Sequence, residues 1–222
     1  MSNVRRRMRG IVVDLDDTLL DERAATRSAL EAFLTVTRSA WQAESEAQAL
    51  ARWRKLSADH WLRFEQGHIS FEDQRRARVR EFLRIELSDS EADRAFEPYR
   101  TAYEASWSLF PECQAFLKRT ASIPKVIVTN GERSQQLRKV KATGLLEHVL
   151  GVVTPMDCGH WKPRPEIFLA ALAILQLSPG ECLMIGDDAV RDIEPAMRLG
   201  MKCFQVQYGN PYRSLLQAVP DA

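Results

Sequence analysis

No apolar run in this 222-residue chain approaches the ~20 residues that a membrane-spanning helix requires. An excess of one charge sign is also missing. Lys and Arg total 31 against 30 Asp and Glu, a formal net charge of +1. That balance provides no general pull towards nucleic acid or an anionic membrane. Cysteine is scarce, and Cys113, Cys158, Cys182 and Cys203 are widely scattered. They form no CxxC pair, and no histidine stands at zinc-finger spacing. They read as mostly buried, reduced thiols of a cytoplasmic protein. The amino terminus begins basic with Arg5, Arg6, Arg7 and Arg9, as a signal peptide does, but Asp14 ends the apolar stretch behind it after three residues. The expectation is a solvated leader that offsets the acids near Asp14, not an export signal.

What is present is globular usage, with 45% hydrophobic and 27% charged residues. This suits one domain, or one domain with a modest insertion. From residue 24 to about 105 the apolar positions recur at helical spacing: Leu30, Phe33, Leu34 and Trp41; Leu50, Trp53, Leu56, Trp61 and Phe64; Phe82 and Leu83; Phe96, Tyr99 and Tyr103. Gly67 and Pro98 are the interruptions, and Ser70 with Asp73 behind it marks a helix start. The aromatics read mainly as seams of a small helical bundle. Arg75, Arg76, Arg78 and Arg80 lie among Glu72, Asp73 and Glu81 and read as a solvated face.

The remainder alternates. Short β-branched runs stand at Ile11–Asp14, Lys125–Thr129, Val149–Val153, Cys182–Gly186 and Lys202–Val206. Helical patterns separate them at Glu112–Ala121, Gln135–Thr143, Glu166–Leu175 and Val190–Leu199. Strands alternating with such helices imply βαβ units, hence an α/β fold with a Rossmann-like parallel sheet. The long helical block falls between the first and second strands. Residues 1–20 and 108–222 therefore read as the core domain and 21–107 as an inserted all-helical cap.

In an open parallel sheet, ligands bind beyond the carboxyl ends of the strands. The first strand ends in Asp14, Asp16, Asp17 and Thr18, the second in Thr129, Asn130 and Gly131, and the fourth in Gly186, Asp187 and Asp188, with Asp192 five residues after Asp187. Lys162 follows the third strand within KPRPEIF. Crowded carboxylates raise one another's pKa unless a cation neutralises them. These are hard oxygen donors with no histidine or cysteine beside them, which suits Mg²⁺. Lys162, Thr129, Asn130 and backbone N–H groups supply donors for a phosphoryl group. The site reads as one of phosphoryl transfer.

The DxDxT of Asp14, Asp16 and Thr18, the Thr129-Asn130-Gly131 triplet, Lys162-Pro163, and the GDxxxxD of Gly186, Asp187 and Asp192 together resemble the haloacid dehalogenase-like (HAD) hydrolase superfamily. The resemblance covers nearly the whole chain, tightly over the core and loosely over the cap. It implies a Mg²⁺-dependent phosphatase of small phosphorylated metabolites such as nucleotides, sugar phosphates or phosphoglycolate. Asp14 would attack phosphorus to form an aspartyl-phosphate, and Asp16 would be the general acid and base. The carboxylates of Asp14 and Asp187 and the main-chain carbonyl of Asp16 would hold the metal, with Asp192 in support or as an alternate ligand. Thr129 and the backbone at Asn130 and Gly131 would bind phosphate oxygens, and Lys162 would neutralise charge. The resemblance also implies that the first strand lies between the second and the fourth.

An acid two residues after the nucleophile favours a phosphatase over a dehalogenase, because halide leaves without a proton. The one cap lysine, Lys55, lies in an Arg-rich pattern and gives little support to a phosphonatase. A receiver-type phospho-acceptor has no helical lid and places its acceptor on a later strand. A silent binding protein does not need Asp14, Asp16, Lys162 and Asp187 together. Among the neighbours, Asp17 and Thr18 read as turn residues and Asp188 as a solvated helix start. Trp161 lines the entrance or packs on its loop. His60, His68, His148 and His160 form no spaced ligand set.

Overall fold

The computed structural model describes residues 8–40, 43–209 and 212–219. Trp41 and Arg5, Arg6 and Arg7 of the basic leader lie outside the described residues. Arg9 pairs with Glu181 at 2.6 Å, so it does not offset the acids near Asp14.

In chain order the strands are β1 (Gly10–Val13), β2 (Lys125–Val128), β3 (Gly151–Val153), β4 (Cys182–Gly186) and β5 (Lys202–Gln205). The helices are α1 (Glu22–Val36), α2 (Glu46–Glu65), α3 (Phe71–Leu83), α4 (Asp89–Ala105) and α5 (Cys113–Arg119). They continue with α6 (Arg133–Ala142), α7 (Pro155–Cys158), α8 (Pro165–Leu175), α9 (Glu194–Arg198) and α10 (Leu215–Ala218). The chain divides into two compact units, with breaks between Glu22 and Arg23 and between Ser106 and Trp107.

In the α/β unit the five strands run parallel in the order β3-β2-β1-β4-β5. β1 therefore lies between β2 and β4, as the family resemblance implies. A parallel sheet covered on both faces needs strands that are apolar on both sides. Ile11, Val13, Ile127, Leu183 and Ile185 pack with Phe116, Leu117 and Val140 in one core. Val12, Val126, Val128 and Met184 pack with Ile167, Phe168, Ala171 and Leu172 in the other. Each fully buried side chain of this size contributes about 1.5–3 kcal/mol. The two cores together fix the strand register and hence the position of every strand end.

One sequence-predicted helix is divided. Val190–Leu199 becomes a π-helical turn at Ala189–Ile193 followed by α9. Pro195 has no N–H and stands at the start of α9, where that donor is not needed. The wide turn lets the N–H groups of both Asp192 and Ile193 donate to the Asp188 carbonyl. It also turns Asp192 inward.

The helical unit contains α1 from Arg23 onward and α2 to α4. Ser45, Ser70 and Ser88 cap α2, α3 and α4, and Gln48 and Glu91 complete capping boxes. Phe33, Trp53 and Phe82 form its interior with ring centroids 4.3–5.4 Å apart; Phe96 stacks on Trp53, and Tyr99 packs against it at a tilt. Gly67 follows α2 in a left-handed conformation, whereas Pro98 lies inside α4, which continues through it. Burial of Phe96, Tyr99 and Tyr103 along one face holds that helix despite the lost hydrogen bond.

The arginine cluster is not a uniformly solvated face. Arg76 and Arg80 do pair with acids at the surface, Arg76 with Asp93 at 2.8 Å and Arg80 with Asp89 at 2.6 Å. Arg78 is only 8% exposed, and its guanidinium lies over the Trp53, Phe96 and Tyr99 rings. Arg75 lies over Phe71. Residues three apart share a helix side, so Arg75 and Arg78 face the bundle interior, and residues four apart carry Arg76 and Arg80 to solvent. Burial lowers the Arg78 pKa to about 10.

Candidate active site

β1 passes its polarity directly to the sheet edge. Asp14 follows its last residue, and the Asp14 N–H donates to the Ile185 carbonyl at 2.9 Å, extending the ladder by one bond. The chain then turns sharply. Leu15 accepts hydrogen bonds from the N–H groups of Leu19 and Leu20, and Asp17 takes a left-handed conformation with φ 58°. The turn brings back Thr18, whose hydroxyl donates to Asp14 Oδ2 at 2.9 Å. Thr18 is thus more than a turn residue, because it binds the Asp14 carboxylate directly.

Lys162 Nζ donates to Asp14 Oδ1 and Asp192 Oδ1, each at 2.6 Å, and to the Val128 carbonyl at 3.2 Å. An ammonium has three protons, so its donors are filled. The Asn130 side chain aims this lysine. Its Oδ1 accepts from the Lys162 N–H at 2.7 Å, and its Nδ2 donates to the Lys162 carbonyl at 2.9 Å. The carboxamide predicted to face a phosphate therefore clamps the Lys162 loop instead. Trp161 is half-buried on that loop, and its carbonyl accepts from the Arg164 N–H.

Asp192 is buried, and its Oδ2 accepts from the Asp188 N–H at 3.2 Å. A side chain at position 186 would overlap Asp192, which explains the glycine there. Asp188 caps the π-helical turn by accepting from the N–H groups of Val190 and Arg191. One carboxylate oxygen from each of Asp14, Asp187 and Asp192 lies within 4.8 Å of the others. Burial raises the Asp14 pKa well above the ordinary carboxyl range, and the charges of Asp192 and Asp187 add to that while Lys162 opposes it. For Lys162 burial acts against the charge, but Asp14 and Asp192 outweigh it and keep the amine protonated. Three carboxylates against one ammonium leave an excess of negative charge. A divalent cation with oxygen ligands fits that set.

The Asp16 carboxylate is outside this trio. Its Oδ2 accepts from Gln136 Nε2 at 2.6 Å and its Oδ1 from Lys139 Nζ at 2.6 Å. Gln136 Nε2 also reaches Thr129 Oγ1 at 2.7 Å, and that hydroxyl oxygen accepts from the Gly131 N–H at 3.2 Å. A Cβ at position 131 would overlap the Gln136 amide, so the glycine of the triplet makes room for it.

Gln136 and Lys139 belong to none of the strand-end motifs. Their i, i+3 spacing on a helix that follows Thr129-Asn130-Gly131 is the signal that places both on one face. His160 bonds through Nδ1 to the Cys158 carbonyl on its own loop.

The family model of the haloacid dehalogenase-like hydrolases matches residues 8–200. The human N-acylneuraminate-9-phosphatase is 26% identical over 201 residues, covering 88% of this chain and 81% of that protein. A phosphoserine phosphatase of Thermus thermophilus is 28% identical over 227 residues, covering 91% and 90%. Among solved structures, the magnesium-bound HAD-hydrolase YfnB of Bacillus subtilis superposes with a TM-score of 0.72 at 24% identity, covering 90% of this chain and 89% of that one. The strand-end motifs, the parallel sheet in this order and the family match agree: the chain belongs to the haloacid dehalogenase-like hydrolases.

Proposed function

We propose that this hydrolase is a phosphatase of small phosphorylated metabolites, with Asp14 as nucleophile and Asp16 as general acid and base. The observation that carries the reading is the Asp14 carboxylate, buried and held from both sides by Lys162 and Thr18. Such a group is fixed for attack, and a fixed orientation removes much of the entropic barrier to reaction. In the first step an Asp14 oxygen bonds to phosphorus as the ester P–O bond breaks, and the Asp16 carboxyl proton passes to the departing oxygen. In the second, water attacks phosphorus, Asp16 takes its proton, and the Asp14–phosphorus bond breaks to release inorganic phosphate.

Lys162 lowers the charge that builds on the nucleophile and the transferring group. The Thr129 hydroxyl and the backbone N–H groups of Asn130 and Gly131 are donors for phosphoryl oxygens. The carboxylates of Asp14, Asp187 and Asp192 and the main-chain carbonyl of Asp16 would hold Mg²⁺. The hard-oxygen character of that set supports the choice, as does the magnesium in YfnB. When bound, the ion neutralises carboxylate and phosphoryl charge.

The helical unit is read as the cap, in which substrate preference resides. The similarity to an N-acylneuraminate-9-phosphatase and a phosphoserine phosphatase supports a small phosphate monoester as substrate. Four thiols free of disulfides support a cytoplasmic protein. A panel of phosphorylated metabolites with Mg²⁺ tests the proposal. Phosphate release that disappears in Asp14→Asn and Asp16→Asn supports it; release of halide from 2-haloacids without phosphatase activity overturns it.

A further inference from the structure

We propose that Lys139 and Gln136 are the positioning residues of Asp16, holding its carboxyl group at a fixed place relative to the phosphoryl-binding hydroxyl of Thr129. This rests on the reading of Asp16 as acid and base and adds how that group is held. Lysine is rarely buried without partners. The Lys139 side chain is 1% exposed, and its ammonium is shared between Asp16 Oδ1 at 2.6 Å and Glu22 Oε2 at 2.8 Å. Gln136 is fully buried and spans Asp16 Oδ2 and Thr129 Oγ1 with one nitrogen, at 2.6 and 2.7 Å. Both oxygens of Asp16 are therefore held by donors from a single face of α6, one turn apart.

Two details separate this arrangement from ordinary packing. Gln136 Oε1 is buried without a hydrogen-bond partner, and the reverse amide orientation is closed because it would set that oxygen against the Asp16 carboxylate. The amide also occupies the space left by Gly131, so the Thr129-Asn130-Gly131 strand end is shaped around it. Lys139 to Asp16 to Gln136 to Thr129 is a continuous chain of contacts that sets how far the proton donor stands from the phosphoryl group. Proton transfer is sensitive to that distance, because donor and acceptor must come within hydrogen-bond reach.

The test uses leaving groups. p-Nitrophenolate departs without a proton, whereas an alkoxide must receive one from Asp16 as the P–O bond breaks. Single-turnover release is measured for p-nitrophenyl phosphate and for an alkyl phosphate that the parent enzyme hydrolyses. In Lys139→Met and Gln136→Met, alcohol release from the alkyl ester is expected to fall about 100-fold with KM little changed, within the usual range for acid–base catalysis. p-Nitrophenol release is expected to fall less than about fivefold. Gln136→Met is close in size and uncharged, so it keeps the test available if Lys139→Met does not fold.

Equal slowing of both esters, or no slowing of either, overturns the positioning role. Asp16→Asn is the control. If it slows the alkyl ester selectively while the two α6 variants do not, this inference fails and the function stands. If Asp16→Asn itself shows no preference between the esters, the acid–base reading fails.

Discussion

The ammonium of Lys162 lies 2.6 Å from Oδ1 of Asp14, a carboxylate 148 residues earlier in the chain. The same nitrogen is 2.6 Å from Asp192 Oδ1. Removing it leaves two buried carboxylates facing each other with no cation between them. Lys162→Met is therefore expected to lose activity and to destabilise the metal-free protein by about 3–5 kcal/mol, the usual cost of stranding a buried charge. Urea unfolding measures this. A midpoint equal to that of the parent would show that the ammonium does not balance the pair.

Asp14 itself has the opposite sign. Burial raises its pKa, and Asp192 and Asp187 add to the effect, so the folded state holds this proton more tightly than the unfolded chain. Stability from this group is then present at low pH and falls as pH rises from the ordinary carboxyl range through the raised folded value. At neutral pH the charged side chain is a burden on the fold. Asp14→Asn is expected to raise the Tm of the metal-free protein while abolishing turnover, and to reduce the further rise in Tm that Mg²⁺ produces in the parent. A lower Tm in the variant would contradict the charge argument.

Gly131 and Gly186 are required for space, not for backbone conformation. A methyl group at 131 meets the Gln136 amide and one at 186 meets the Asp192 carboxylate. Gly131→Ala and Gly186→Ala are each expected to cost about 1–3 kcal/mol, typical of overpacking, and to lower activity further by shifting Gln136 or Asp192. Chemical denaturation together with kcat separates the two effects. Variants that match the parent in both measurements would remove the steric account of these glycines.

The cysteines give a prediction independent of catalysis. Burial pushes the Cys113 thiol up to about 12 and the Cys182 and Cys203 thiols up to about 11. Thiolate is the reactive form. At pH ~8 in native buffer, Cys113 and Cys182, both fully buried, are expected to resist a thiol reagent, and all four cysteines to react in denaturant. Rapid native labelling of Cys113 would mean that its core opens.

Much of the α/β unit was legible because its signals are local. Ile11–Val13, Lys125–Val128 and Cys182–Gly186 are short apolar runs, and each releases polar residues where its strand ends. Thr18 reads as a turn residue in the sequence, and its hydroxyl contact to Asp14 depends on how tightly Leu15–Leu20 folds. Gln136 and Lys139 reach Asp16 across 120 and 123 residues, a contact that no local pattern carries. For Arg78 the acidic sequence neighbours suggest a solvated residue, whereas the structure buries it. Its helix face, not its neighbours, decides that it lies over Trp53, Phe96 and Tyr99.

The central claim is that phosphate passes through the side chain at position 14. The direct measurement is a rapid acid quench during turnover of a labelled phosphate ester, followed by peptide mapping of the phosphorylated protein. The account predicts an acyl-phosphate on Asp14 that appears in the parent and is absent in Asp14→Asn. Turnover by the parent with no phosphoprotein at any quench time, or a label on any other residue, would contradict it.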